Sequence, residues 1–153
     1  MDASVRARAL AKVLALGFGS PRDVVAWVDT LITGASTPHP FLIDASLAEA
    51  RPSALVAALE SFAAASGIAD VPAVWSAVLG ELSSWLLAHP DDGPRIARAL
   101  FRMAVAGEFR DRDAESKMYA FDDQYDLAID AVYGIREEVD RELRAFLARY
   151  DPR

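Results

Sequence analysis

Residues 71–104 read VPAVWSAVLGELSSWLLAHPDDGPRIARALFRMA, and their grammar decides the fold class. Val74, Trp75, Val78, Leu79, Leu82, Trp85 and Leu86 recur at spacings of three and four, the period that gathers side chains on one broad face of an α-helix. Asp70 stands where an N-cap belongs for a helix running from Val71 to His89. Pro90-Asp91-Asp92-Gly93-Pro94 then interrupts the chain, because prolines remove amide donors and glycine frees the backbone. Ile96, Leu100, Met103 and Ala104 restart the helical period, which Gly107 closes.

Toward the N-terminus the same punctuation repeats. Ser20-Pro21-Arg22-Asp23 supplies a cap, a proline at the first helical position and an acid in the first turn, and Val24, Val25, Val28, Leu31 and Ile32 form the buried stripe up to Gly34. A loop follows to Pro40, and residues 41–50 read as either a short helix or an extended piece. Pro52-Ser53 opens another helix with Leu55, Leu59, Phe62 and Ala63 inward and Gly67 as its stop. Residues 1–19 have the basic start of a signal peptide. Lys12 within the apolar run, Asp2, and the helical stripe Val5, Ala9, Leu10, Val13 and Leu14 argue instead for a first helix.

Toward the C-terminus, residues 108–113 read as a polar loop in which Asp113 caps a helix starting at Ala114. Residues 114–133 are helical in one piece or two before Gly134, and Val139, Leu143, Phe146, Leu147 and Tyr150 form the inner face of a last helix. No alternating β-branched run occurs, so the expectation is a single all-α domain over residues 1–153, an irregular array or bundle of six to seven helices. The segments 21–67, 71–107 and 114–150 have the length of HEAT-like helical hairpins, which makes a short HEAT-like stack the specific alternative.

Composition narrows the chemistry. The 153 residues contain no cysteine, which removes disulfides, thiolate metal sites and thiol nucleophiles. A chain of this length buries roughly 68–70% of its unfolded surface and needs no covalent staple. Sixteen basic against 23 acidic residues give a net charge of −7, which argues against a phosphate-neutralising nucleic-acid binder. The basic residues are nearly all arginine, with only Lys12 and Lys117 as lysines, and asparagine is absent, a skew that reads as a GC-rich bacterial genome. The stretch 71–90 comes nearest to a membrane span, with Glu81 its one charge, yet Pro72, Gly80, Ser83 and Ser84 suit the buried centre of a bundle better. The expectation is a cytoplasmic protein with no membrane partner.

Nothing assembles a catalytic site. His39 and His89 each precede a proline, where a turn or helix terminus explains them, and the glycines are scattered at segment ends rather than gathered in a phosphate loop. Trp27, Trp75 and Trp85 lie on apolar faces and read as core. The chain is therefore expected to be non-enzymatic and to carry no cofactor.

Three acidic patterns remain between residues 111 and 130. Asp122-Asp123-Gln124-Tyr125-Asp126 resembles the Asp-Asp-x-x-Asp diphosphate-binding motif of isoprenoid synthases, whose carboxylates hold magnesium. The likeness covers five residues, Glu137-Glu138 is the only candidate for the second acidic motif, and the chain is too short for the helical barrel that encloses an isoprenoid. Asp111-x-Asp113-x-Glu115, continued to Asp122 at the twelfth position, resembles an EF-hand loop, which implies a calcium site. It departs from that pattern where Ser116 replaces the turn glycine and Asp122 the closing glutamate. A divalent-metal or small-ligand protein using Asp111, Asp113, Glu115 and Asp122 is the alternative functional reading.

The third pattern is a stripe, Asp122, Asp126 and Asp130, four residues apart and so stacked on one helical face, a like-charge arrangement that asks for a cation. Arg95, Arg98 and Arg102 form a basic stripe on the preceding helix, with Arg110 and Arg112 in the loop. The two stripes either pair as a ladder or turn apart. In the second case Tyr119, Asp122, Asp123, Tyr125, Asp126 and Asp130 form a docking surface for a basic protein. Five of the eleven Phe and Tyr residues fall between Phe109 and Tyr133, of which Phe121 and Tyr133 suit the core. Small, acidic, cysteine-free helical chains of this kind are similar in general character to immunity proteins and antitoxins that block basic toxins. That likeness implies a protein partner and carries over no residue.

Overall fold

The computed structural model describes residues 1–67, 71–107, 109, 111–132 and 134–150. Asp70, Glu108, Arg110 and Tyr133, which the sequence reading used, lie outside them. All regular structure among the described residues is helical: α1 (Ala3–Ala15), α2 (Pro21–Gly34), α3 (Pro40–Ser46), α4 (Pro52–Ala65), α5 (Val71–Ala88), a 3-10 turn (Pro90–Asp92), α6 (Gly93–Val105), α7 (Arg112–Ile129) and α8 (Arg136–Ala148). The protein is all-α, with eight α-helices in this set rather than six or seven. One helix exceeds the expectation because the ambiguous piece after Pro40 is helical. Pro40 sits at its first position, and the His39 ring accepts the Phe41 amide at 3.3 Å.

The chain divides into two compact units, Met1–Glu81 and Leu82–Arg153, and the boundary falls inside α5. In the first unit α1 packs on α4, α3 packs on α4, and α2 packs on α3. Ala7, Leu10, Ala11, Val25, Val28, Leu42, Leu55 and Leu59 are buried together there; Leu10, Val25, Val28, Leu55 and Leu59 lie on the stripes that periodicity marks, and Ala7, Ala11 and Leu42 do not. Ser20 caps α2 by accepting the Asp23 amide at 3.3 Å, as its position before Pro21 predicts. Asp2 caps α1 through the amides of Ser4 and Val5. Its carboxyl is held below the usual range, first by the Ser4 hydroxyl and then by those amides. Trp75 is buried, with the Lys12 ammonium over its ring at 4.7 Å, whereas Trp27 is only half-buried beneath the Arg6 guanidinium.

In the second unit α6 packs along α7, and α8 lies mainly on α7. Ile96, Leu100, Met103, Met118, Leu143 and Leu147 form its centre, each at most 5% exposed. This pairing departs from a HEAT-like stack, in which residues 71–107 would form their own hairpin: the main partner of α6 in its unit is α7. The break between α5 and α6 is tied by side chains. Trp85 Nε1 donates to Asp92 Oδ2 at 2.7 Å, Arg95 donates to Asp92 Oδ1 at 2.8 Å, and His89 stacks on the Trp85 ring. The Trp85 bond, ahead of Arg95, keeps the Asp92 carboxyl below its ordinary pKa. Trp85 is thus half-buried and structural at a turn rather than a core residue. By length and composition α5 is apolar enough to cross a membrane, and half of it is buried inside the fold.

Candidate functional site

Helix α7 runs unbroken over 18 residues, so the acidic positions keep one register. Its N-cap is Asp111, two residues before the predicted Asp113, and Asp111 Oδ1 accepts the amides of Asp113 at 3.0 Å and Ala114 at 3.1 Å. Asp113 and Glu115 occupy the first turn, where acids complement the helix dipole. Asp122 lies seven residues beyond Glu115, about 10 Å along the axis, too far to share an ion with it. Among the described residues no group of three or more His, Asp or Glu side chains could hold a metal ion. Of the residues in the EF-hand-like pattern, Asp111 caps the helix, Asp113 and Glu115 stand in its first turn, and Asp122 faces α6.

At 100° per residue, Tyr119, Asp123, Asp126 and Asp130 fall on one side of α7, and all four are exposed. Tyr119 keeps 38% of its surface exposed while the rest of its ring meets Phe101 edge-on at 5.6 Å. Asp122 lies between this face and α6, with only 16% of its side chain exposed. There Arg98 crosses from α6: its Nε donates to Asp122 Oδ1 at 3.0 Å and its Nη2 to Asp126 Oδ1 at 3.4 Å. One guanidinium thus answers two carboxylates of the stripe. Arg95 turns back to Asp92, so the expected ladder is reduced to a single rung.

Tyr125 does not belong to the surface. It is 1% exposed, and its hydroxyl donates to Asp140 on α8, whose other oxygen is 3.8 Å from Arg136 Nε. Burial, reinforced by the neighbouring carboxylate, pushes its phenol well above the ordinary value. Met118, Phe121 and Tyr125 lie at i, i+3 and i+7 and are all buried, so the helical period was a usable signal that Tyr125 faces inward. Gly93 closes this node from α6: a Cβ there would overlap the Tyr125 hydroxyl and lie 2.9 Å from Asp140 Oδ1. In the sequence, Gly93 reads only as a turn residue within Pro90-Asp91-Asp92-Gly93-Pro94.

A second feature went unread. On the flank of α7 turned away from the carboxylates, a hollow of about 490 Å³ opens against α8, lined by Lys117, Phe121, Gln124, Phe146 and Arg149 among others. It is followed by a smaller one of about 220 Å³ lined by Leu127, Ile135 and Glu138. Gln124 and Glu142 line both, so the two form one groove with those residues at its middle. Comparison with known families, characterised proteins and solved structures finds no match, so the site is read from its own residues.

Proposed function

We propose that this chain is a non-enzymatic protein-binding module that docks a basic partner on the outward face of α7. Tyr119 supplies a rigid ring with apolar area and a hydroxyl, and Asp123, Asp126 and Asp130 supply the charge. Asp122 contributes from the edge of the face, and Tyr125 supports the helix from beneath. The observation that carries the reading is that Tyr119, Asp123 and Asp130 stay exposed on one side of α7, since Arg98 from α6 reaches only Asp122 and Asp126 of the stripe. With three of the four carboxylates on the exposed side and a net charge of −7 behind them, the surface would attract a cationic protein from a distance.

The concrete form of the reading is an immunity- or antitoxin-like protein, bacterial and cytoplasmic, that needs no cofactor, nucleic acid or membrane. The test is affinity capture from the source organism's lysate with the wild type and with Tyr119→Ala/Asp123→Arg, both at exposed positions and checked for helicity by circular dichroism. The reading expects a basic protein retained by the wild type and lost from the variant, with an association rate that falls as salt rises. A partner retained equally by both baits, or one that is itself acidic, overturns it.

A further inference from the structure

We propose that the larger hollow between α7 and α8 binds a small organic anion, a single carboxylate carried on an unbranched apolar chain. The proposal concerns the flank of α7 opposite the acidic face and stands independently of the partner reading above.

The hollow has the dimensions of a ligand site. Its volume of about 490 Å³ falls within the roughly 300–1,000 Å³ of small-molecule pockets. Phe121 and Phe146 form an aromatic floor, with ring centroids 5.5 Å apart. Ala145, at an exposed position on α8, keeps the space above that floor open, because its side chain is a single methyl. From Lys117 to Gln124 the hollow follows about 10 Å of helix, the extended reach of a chain of about eight carbons.

Charge decides what fills it. The Phe121–Phe146 and Tyr125–Asp140 contacts set α7 and α8 antiparallel, so Lys117 from one helix and Arg149 from the other share one end of the hollow. Among the described residues neither takes part in an ion pair. An ammonium and a guanidinium converging in this way hold a carboxylate by charge-assisted hydrogen bonds. Glu142 lies on α8 about 10 Å from that end, and Glu138 stands one turn further on, in the smaller hollow. The field therefore runs from positive to negative along the floor, which fixes the direction of the ligand: head on Lys117 and Arg149, apolar tail over Phe121 and Phe146. Two cations against one carboxylate in the larger hollow favour an anionic head over an amine. Glu142 in turn repels a ligand that is negative at both ends, so the site selects a monocarboxylate over a dicarboxylate of equal length. The net charge of −7 opposes adsorption to an anionic bilayer, so the ligand is taken as a free molecule from water.

The test is a heteronuclear NMR titration of the isotope-labelled full chain with octanoate, octylamine and suberate, each to about 10 mM. Octanoate is expected to bind with a Kd of about 0.1–1 mM, in keeping with its size, and to shift amides at 117–124 and 142–149. Octylamine and suberate should bind at least about tenfold more weakly, and Glu142→Gln should recover suberate while leaving octanoate unchanged or slightly tighter. Lys117→Gln/Arg149→Gln should weaken octanoate about tenfold through loss of the charged donors. Ala145→Leu should weaken it similarly by filling the space. All four positions are exposed, and circular dichroism of each variant separates loss of fold from loss of binding. No shift with octanoate, shifts centred elsewhere, or octylamine binding as well as octanoate would overturn the proposal. So would octanoate binding indifferent to the loss of both cations or to Ala145→Leu. Retention of the protein on phosphatidylglycerol vesicles, relieved by octanoate, would place the hollow at a lipid surface and overturn the assignment to a free ligand.

Discussion

Gly93→Ala offers the most direct examination of the node that joins α6, α7 and α8. At an ordinary helix position this substitution stabilises by about 0.4–1 kcal/mol, since alanine restricts the unfolded chain. Here the new methyl would overlap the Tyr125 hydroxyl and approach Asp140 Oδ1 to 2.9 Å and Tyr125 Cζ to 3.1 Å. Overpacking of a buried site costs about 1–3 kcal/mol, so the net effect should be a loss of about 1–2 kcal/mol. Tyr125→Phe alone removes a buried hydroxyl from a carboxylate that keeps Arg136 beside it and is 21% exposed, so its cost should lie near 1.5 kcal/mol. In that background the methyl no longer meets a hydroxyl, and Asp140 is free to lean toward Arg136. Gly93→Ala should then cost at least ~1 kcal/mol less than in the wild type, a coupling that a double-mutant cycle measures. Urea unfolding followed by circular dichroism gives the four midpoints, with an unchanged slope as the condition for comparing them. Gly93→Ala as stable as the wild type, or equally costly with and without the Tyr125 hydroxyl, would refute the account of this contact.

The same node gives a pH dependence. The folded state holds the Tyr125 proton more tightly than the unfolded chain, whose phenol titrates near 10. The node's stability is therefore complete below about pH 10 and is lost as pH rises above it, a loss that Tyr125→Phe should reduce. Tyr150, also raised by burial, remains in both proteins, so the difference between their alkaline unfolding curves reports Tyr125. At the other end of α7, Asp111→Ala should lower stability by about 1 kcal/mol through loss of the cap, with melting curves in which millimolar calcium, magnesium or chelator makes no difference to either protein. A calcium-dependent melting temperature lost in the variant would show a metal ligand where we describe a cap.

Most helices were legible because each carries a long apolar stripe between a cap or proline and a glycine. Helix α3 was not, since its seven residues make less than two turns and present only Leu42 and Ala45 to the core. The start of α7 was misplaced by two residues because Asp111 and Asp113 are equally good caps by composition, and only the backbone shows which one has its amides in reach. For the site, the exposed set Tyr119, Asp123, Asp126 and Asp130 follows from helical period alone. The partner of the stripe does not: Arg98 rather than Arg95 or Arg102 reaches it because of the register in which α6 lies on α7. Likewise Asp140, 15 residues from Tyr125 and on another helix, meets its hydroxyl through packing that no local pattern encodes. The groove escaped notice for a related reason, as its width depends on how α8 leans from α7.

The placement of the unit boundary within α5 has a consequence for how this chain can be cut, circularly permuted or recombined. Leu79 and Leu82 are both fully buried, one on either side of the boundary, and a single helical turn carries both. A fragment ending at Glu81 would leave its last turn frayed, while one starting at Leu82 would begin with an uncapped half-helix. An exchange of either unit at this boundary therefore has to be made within a helix and not within a loop.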